Sequence, residues 1–352
     1  MVRTVSLRDI RSYARLDLEL SPGLVLVTGP NGAGKTNLLE SLHVGTQGFS
    51  PRTRSDAQLI RFGADAGRIA LLGSRGDGRV ELEVTLRAGE GKRAKVNGAS
   101  LRAAEQLRSE VATLVFTPDR LSIVKSGPAV RRAYFDRILG RLSPARGSLP
   151  TDYSAALAQR NAALRRVAMG LASRDALEPW TQQVATFGRA LVEARVETLA
   201  ALAPGFAARA EELGLPAARL GYVGEPPSAS VLAARLDRDL DRGATGLGPH
   251  LDDIALASGT RDLRQFGSQG EQRLTVLALL LAEAELIAER RAVAPLLLLD
   301  DVLSELDSSR RRILAERVAA HGQTLVTATE AHALPVEPSQ LLEVAPGEVR
   351  AA

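Results

Sequence analysis

Gly29-Pro30-Asn31-Gly32-Ala33-Gly34-Lys35-Thr36 is the stretch whose reading decides the fold. Its spacing, G-x-x-x-x-G-K-T, is that of a phosphate-binding loop. The flanks agree with it. Leu24-Val25-Leu26-Val27 is a short apolar run of the kind that forms a buried parallel strand. Leu38, Leu39, Leu42 and His43 keep helical spacing, so a helix is predicted from Lys35, fading near Gly45-Thr46-Gln47-Gly48. A glycine-rich turn between strand and helix aims backbone N–H groups at one point, and the helix dipole adds positive potential there. Gly29 to Asn37 would then line the phosphates of ATP. Lys35 would reach the β- and γ-phosphates, and the Thr36 hydroxyl would be offered to Mg²⁺.

The chain has 352 residues, enough for two domains or for one with a large insertion. Apolar residues make up 45% and charged residues 24%, the proportions of an ordinary globular protein. The net charge of +4 is compatible with nucleic acid without establishing it. With no cysteine there is no disulfide framework and no thiolate metal site. Met1-Val2-Arg3-Thr4 carries no apolar signal core, and the apolar runs Leu277–Ala282 and Ala292–Leu299 are too short to span a bilayer. The expectation is a cytoplasmic protein with no membrane association.

Val2, Val5, Leu7 and then Leu16, Leu18, Leu20 alternate with polar residues, which predicts two edge-like strands joined around Tyr13 and opening a mixed sheet with Leu24–Val27. Ile69–Leu72, Val80–Leu86 and Ala94–Val96 read as an antiparallel meander, with turns at Arg75-Gly76-Asp77-Gly78, Gly89-Glu90-Gly91 and Asn97-Gly98. Val111–Phe116 reads as a further strand, and Thr117-Pro118-Asp119 as a helix start. From about Gly127 to Asp241 alanine, leucine and arginine dominate in a helical pattern, with a loop at Gly221–Ser228. The fold class is therefore α/β: an ATPase head of mixed β-sheets over 1–125 and 245–352, with an inserted all-helical lobe over 126–244.

Pro295-Leu296-Leu297-Leu298-Leu299-Asp300-Asp301 is an apolar strand ending in two carboxylates, as a Walker B strand does. Asp300 would hold Mg²⁺, and Asp301 stands where a catalytic carboxylate polarises the attacking water. Gln47 is a candidate metal-sensing glutamine. Gly267-Ser268-Gln269-Gly270-Glu271 precedes a long apolar helix, so Ser268 and Gly270 form a second anion site at a helix N-terminus. This resembles the signature motif of ABC-type ATPases, which reaches the γ-phosphate bound by a second subunit. Ser304-Glu305-Leu306-Asp307 follows as a D-loop would; the usual switch histidine is replaced by Thr329-Glu330, with His332 nearby.

Within that class the chain resembles the RecF family. The matches are Leu7 to Tyr13, Gly29 to Glu40, Gly127-Pro128-Ala129-Val130-Arg131-Arg132, Gly248-Pro249-His250 before Asp252-Asp253, Ser268-Gln269-Gly270, and Leu299 to Asp307. Two positions depart from the family pattern: Leu251 stands where an arginine is usual, and Glu271 where a glutamine is usual. The resemblance implies ATP binding, head-to-head homodimerisation, weak DNA-stimulated ATP hydrolysis, and binding to double-stranded DNA or single/double-strand junctions. It also implies cooperation with RecR-like and RecO-like proteins in loading recombinase at gaps. The alternative is the ATPase subunit of a membrane transporter. A chromosome-condensing relative would need a sustained heptad pattern that is missing here.

Some residues carry two readings. Tyr13 stacks on adenine or belongs to the sheet; His250 meets the nucleotide or shapes a turn. Arg52, Arg54, Arg131 and Arg132 contact a DNA backbone or solvate a surface.

Overall fold

The helix predicted after the phosphate loop runs from Lys35 to Gln47 in the computed structural model, which describes residues 1–76 and 78–352. Residues Leu38 to Gln47 are buried without a break. A helix covered on every side needs partners on both faces. The first of the two units into which the chain divides, residues 1–120 with 287–352, provides them as two six-stranded sheets.

One sheet runs in the order Glu348–Ala351, Gln340–Ala345, Leu24–Thr28, Thr324–Thr327, Leu296–Leu299, Thr113–Phe116. Only its first pair is antiparallel. Its four inner-core strands, from Leu24–Thr28 to Thr113–Phe116, are buried at every position, as continuous apolar runs demand when both faces are covered. The other sheet is antiparallel throughout: Tyr13–Glu19, Val2–Ile10, Ala66–Arg75, Gly78–Arg87, Gly91–Val96, Ala99–Ser100. In Gly78–Arg87 the residues Val80, Leu82, Val84 and Leu86 face the core and alternate with more exposed neighbours. Leu38, Leu39 and Leu42 of the helix share one apolar cluster with Ile69, Leu71 and Val84 of this sheet and with Val25, Leu298 and Leu325 of the other.

The first hairpin therefore does not share a sheet with Leu24–Val27, contrary to the sequence expectation. The patterns explain why. Alternating strands have one wet face and pair antiparallel, whereas the continuous run needs cover on both faces. Val2–Ile10 is also an interior strand rather than an edge one. Asn97 and Gly98 have φ of 49° and 81°, the two positive values a tight hairpin turn requires. Asp77, in the expected turn Arg75–Gly78, lies outside the described residues.

The second unit comprises residues 121–286. Three helices dominate it: Pro128–Leu142, Leu149–Ala168 and the 35-residue Glu178–Glu212. It is not all-helical. Ala218–Val223, Asp253–Ser258 and Arg261–Asp262 form a three-stranded antiparallel sheet. The residues expected as a loop from Gly221 thus begin inside a strand, which exists because Asp253–Ser258, some thirty positions on, pairs with it. Residues 245–286, assigned to the head in the sequence reading, pack with the helical residues here. Buried ion pairs tie the unit together: Arg160 with Asp239 at 2.8 Å, Arg195 with Asp136 at 2.8 Å, and Arg131 with Asp253 at 2.6 Å.

The helix between the sheets carries one buried carboxylate, Glu40. It accepts from Arg11 Nε and Nη2, each at 2.8 Å, and from Ser50 Oγ at 2.5 Å. Removing Glu40 leaves the half-buried Arg11 guanidinium and the Ser50 hydroxyl without their shared acceptor. Glu40→Ala is expected to lower stability by on the order of 3 kcal/mol, read as a lower urea midpoint; an unchanged midpoint would show the pair to be dispensable.

Candidate nucleotide site

Three neighbouring parallel strands end together. The register pairs Val27 with Thr327 and Val326 with Leu299, so Gly29, Thr327 and Asp300 all stand at the C-terminal edge of the mixed sheet. Open parallel sheets bind ligands at this edge. Gly29 has φ 145°, and a Cβ there would lie 2.3 Å from the Val344 carbonyl oxygen, so no other residue fits. The loop then closes on the helix start. Lys35 Nζ donates to the carbonyls of Gly29, at 2.6 Å, and Pro30, at 3.0 Å. Burial lowers the Lys35 pKa, and the negative charge of Asp300 and Asp301 opposes that shift. Tyr13 is fully buried and its hydroxyl donates to the Gly34 carbonyl at 3.0 Å. It braces the loop from the antiparallel sheet, which resolves its two readings in favour of the sheet.

Asp300 is the centre of the site. The Thr36 hydroxyl donates to its carboxylate at 2.9 Å, and the Thr327 hydroxyl donates to Oδ1, also at 2.9 Å. Its own N–H is held by the Phe116 carbonyl at 2.9 Å. Burial pushes the Asp300 carboxyl above the usual range, while the two hydroxyls and the Arg52 charge pull it down. Asp301 differs in every respect. It is exposed, sits in the left-handed region with φ 49°, and donates its N–H to Thr327 Oγ1 at 2.8 Å. Such a backbone costs about 1 kcal/mol outside glycine, and the Thr327 bond helps to hold it. Thr327 thus touches both aspartates. The sequence reading placed its strand but gave it no role; its only signal was a hydroxyl near the end of a strand beside the phosphate loop.

Thr36 and Asp300 offer a hydroxyl and a carboxylate side by side, the hard oxygen donors that Mg²⁺ takes. Gln47 does not join them. It ends the helix that Lys35 begins, roughly 16 Å along the axis from Thr36 at 1.5 Å per residue. Its amide donates to the Val111 and Thr46 carbonyls from a buried position. That placement removes the metal role expected for it.

The arginines divide. Arg131 is buried and bound through two nitrogens to Asp253, so it has no face for a DNA phosphate. Arg132 is half-buried and donates to the Asp252 carbonyl. Arg54 is exposed. Arg52 lies against the loop helix, 3.3 Å from both Asn37 Oδ1 and Glu40 Oε2. His250 has both ring nitrogens engaged, by the Tyr153 hydroxyl and the Thr245 carbonyl, and so serves the turn.

Ser268 and Gly270 belong to the second unit. Ser268 precedes the helix Gln269–Arg291, and Glu271 closes that turn with it. Asp307, at the end of the D-loop-like run, caps the helix Ser308–Ala319 by accepting from the Arg310 N–H at 2.9 Å.

A family model described as the RecF/RecN/SMC N terminal domain matches residues 1–348. The chain is 36% identical to "DNA replication and repair protein RecF" of Heliobacterium modesticaldum, over 97% of this chain and 95% of that one. It is 37% identical to the protein of the same name from Moorella thermoacetica, over 98% and 95%. The chain belongs to the RecF family. Two solved structures, described as the recombination mediator protein RecF with ATP and with ATPrS, superpose with TM-scores of 0.89 and 0.86 at 26% identity over the whole chain. An Smc head, at 15% identity and a TM-score of 0.61, shares the fold alone. The α/β ATPase-head class expected from the motifs stands, and nothing in the family match points to a transporter subunit. Among the described residues no helix is long and apolar enough to cross a membrane.

Lys35→Ala removes the one ammonium inside the RecF-type loop. It is expected to weaken ATP binding by at least tenfold in calorimetry, with Lys35→Arg intermediate because a planar fork replaces a point charge. ATP affinity unchanged in Lys35→Ala would refute the site.

Proposed function

We propose that this RecF-family chain is an ATP-dependent DNA-binding mediator of recombinational repair, working in the cytoplasm at gaps in the chromosome. The observation that carries the reading is the junction of the Gly29–Thr36 loop with Asp300 and Asp301 through Thr36 and Thr327. The loop amides and Lys35 bind the triphosphate. Thr36 and Asp300 would hold Mg²⁺, whose charge would neutralise that of the phosphates. Asp301, open to solvent, accepts a proton from the water that attacks the γ-phosphate.

Ser268 and Gly270 complete the site of a second copy, so that ATP is held between two heads of a homodimer related by a two-fold axis. ADP lacks the γ-phosphate those groups would bind, and this difference in contacts makes the nucleotide a switch. The dimer binds double-stranded DNA or a single/double-strand junction through backbone contacts, with Arg54 as a candidate, and RecR-like and RecO-like proteins then act with it to load recombinase. The names of the RecF relatives support the DNA repair reading; the individual contacts rest on the residues named here.

Two variants test the scheme. Asp301→Asn keeps every phosphate contact and loses the proton acceptor, so it is expected to bind ATP normally and hydrolyse it at least tenfold more slowly in a phosphate-release assay; a wild-type rate removes Asp301 from the mechanism. Ser268→Arg fills the trans site without touching the loop. It is expected to bind ATP as a monomer in light scattering, and ATP-dependent dimers like those of wild type would sink the two-headed model.

A further inference from the structure

The turn that opens the Gln269–Arg291 helix is already supplied with an anion. The Ser268 N–H donates to Glu271 Oε2 at 2.8 Å, and the Glu271 N–H donates to Ser268 Oγ at 3.2 Å. This reciprocal pair satisfies two backbone donors that a helix N-terminus leaves open. Arg261, in the short strand paired to Asp253–Ser258, donates to the other carboxylate oxygen, Oε1, at 2.7 Å. The Arg261 guanidinium, with the Ser268 bonds, holds the Glu271 carboxyl below the usual carboxylate range. Glu271 is therefore an anion at neutral pH. Ser268, Gln269 and Gly270 are exposed around it.

A glutamine at this position could close the same turn without charge. A glutamate closes it with a charge, beside the Ser268 and Gly270 that the reading above gives to an incoming phosphate. We infer that Glu271 is a built-in competitor for the γ-phosphate, occupying the Ser268 N–H and Arg261 until the ATP carried by a second copy of this chain displaces it. The inference rests on the reading of Ser268 as a trans site. The exchange favours ATP because a terminal phosphate brings more charge and three oxygens to the same donors, whereas ADP presents none of them there. Glu271 thereby raises the threshold for ATP-dependent dimerisation. Arg261, released from Glu271, is left facing the phosphate.

Sedimentation of the full chain with ATP and Mg²⁺, and in parallel with ADP, tests this. Glu271→Gln keeps the cap and loses the charge; it is expected to dimerise with ATP about tenfold more tightly than wild type, the scale of one charge-assisted hydrogen bond. Glu271→Ala, which loses both, is expected to shift in the same direction and guards against a folding effect of either change. If neither variant dimerises more tightly while Ser268→Arg stays monomeric, the competitor role is overturned and the trans site stands. If Ser268→Arg dimerises like wild type, the trans site falls and the competitor role falls with it.

Discussion

The site depends on one hydroxyl held between three strands. Thr327 Oγ1 donates to Asp300 and accepts from the Asp301 N–H, while Thr36 approaches Asp300 from the phosphate-loop helix. Those bonds require that Leu24–Thr28, Thr324–Thr327 and Leu296–Leu299 be neighbours in that order and end level with one another. Most of the first unit can be read as what keeps that register. The mixed sheet buries whole strands, the helix Lys35–Gln47 is packed between two sheets, and Tyr13 reaches from the antiparallel sheet to the Gly34 carbonyl. A shift of one residue in any of the three strands would turn Thr327 or the residue before Asp300 to the opposite face and dissolve the junction.

The same geometry separates the two aspartates. Asp300 is buried among hydroxyls that compensate its desolvation, so it is suited to holding a cation and unsuited to taking a proton from bulk water. Asp301 is one residue on, exposed and in a left-handed turn, where a carboxylate meets solvent with little to anchor its side chain. Two adjacent, chemically identical groups meet different surroundings because the chain leaves the sheet between them.

What the sequence made legible was what local pattern specifies. The loop Gly29–Thr36, its flanking strand and helix, the Walker B run and the meander all declare themselves within about ten residues, because period and turn chemistry are local. What it did not show were facts of long-range pairing. Nothing in Ala-Arg-Leu-Gly-Tyr-Val announces the strand Ala218–Val223, which needs Asp253–Ser258 to exist. Thr327 gained a role only through neighbours some 26 and 290 positions away. Gln47 stood as a candidate metal-sensing glutamine but lies at the far end of its helix from Thr36, and Arg131 looked available for DNA until Asp253 and the surrounding unit buried it. Charge in a sequence says how many arginines there are, and only packing says which of them are already paired.

The groups best suited to a nucleotide are all engaged within the chain. Lys35 is bonded to the loop carbonyls, Thr36 to Asp300, and Ser268 to Glu271. Buried or half-buried donors left without partners would each cost about 1–3 kcal/mol, so such engagement stabilises the protein by itself. It also changes what binding means. A nucleotide bound at these groups would exchange one set of hydrogen bonds for another, and gain only the difference. That difference is largest for a ligand of high charge and several oxygens, since neutral carbonyls and a single carboxylate are the partners being replaced.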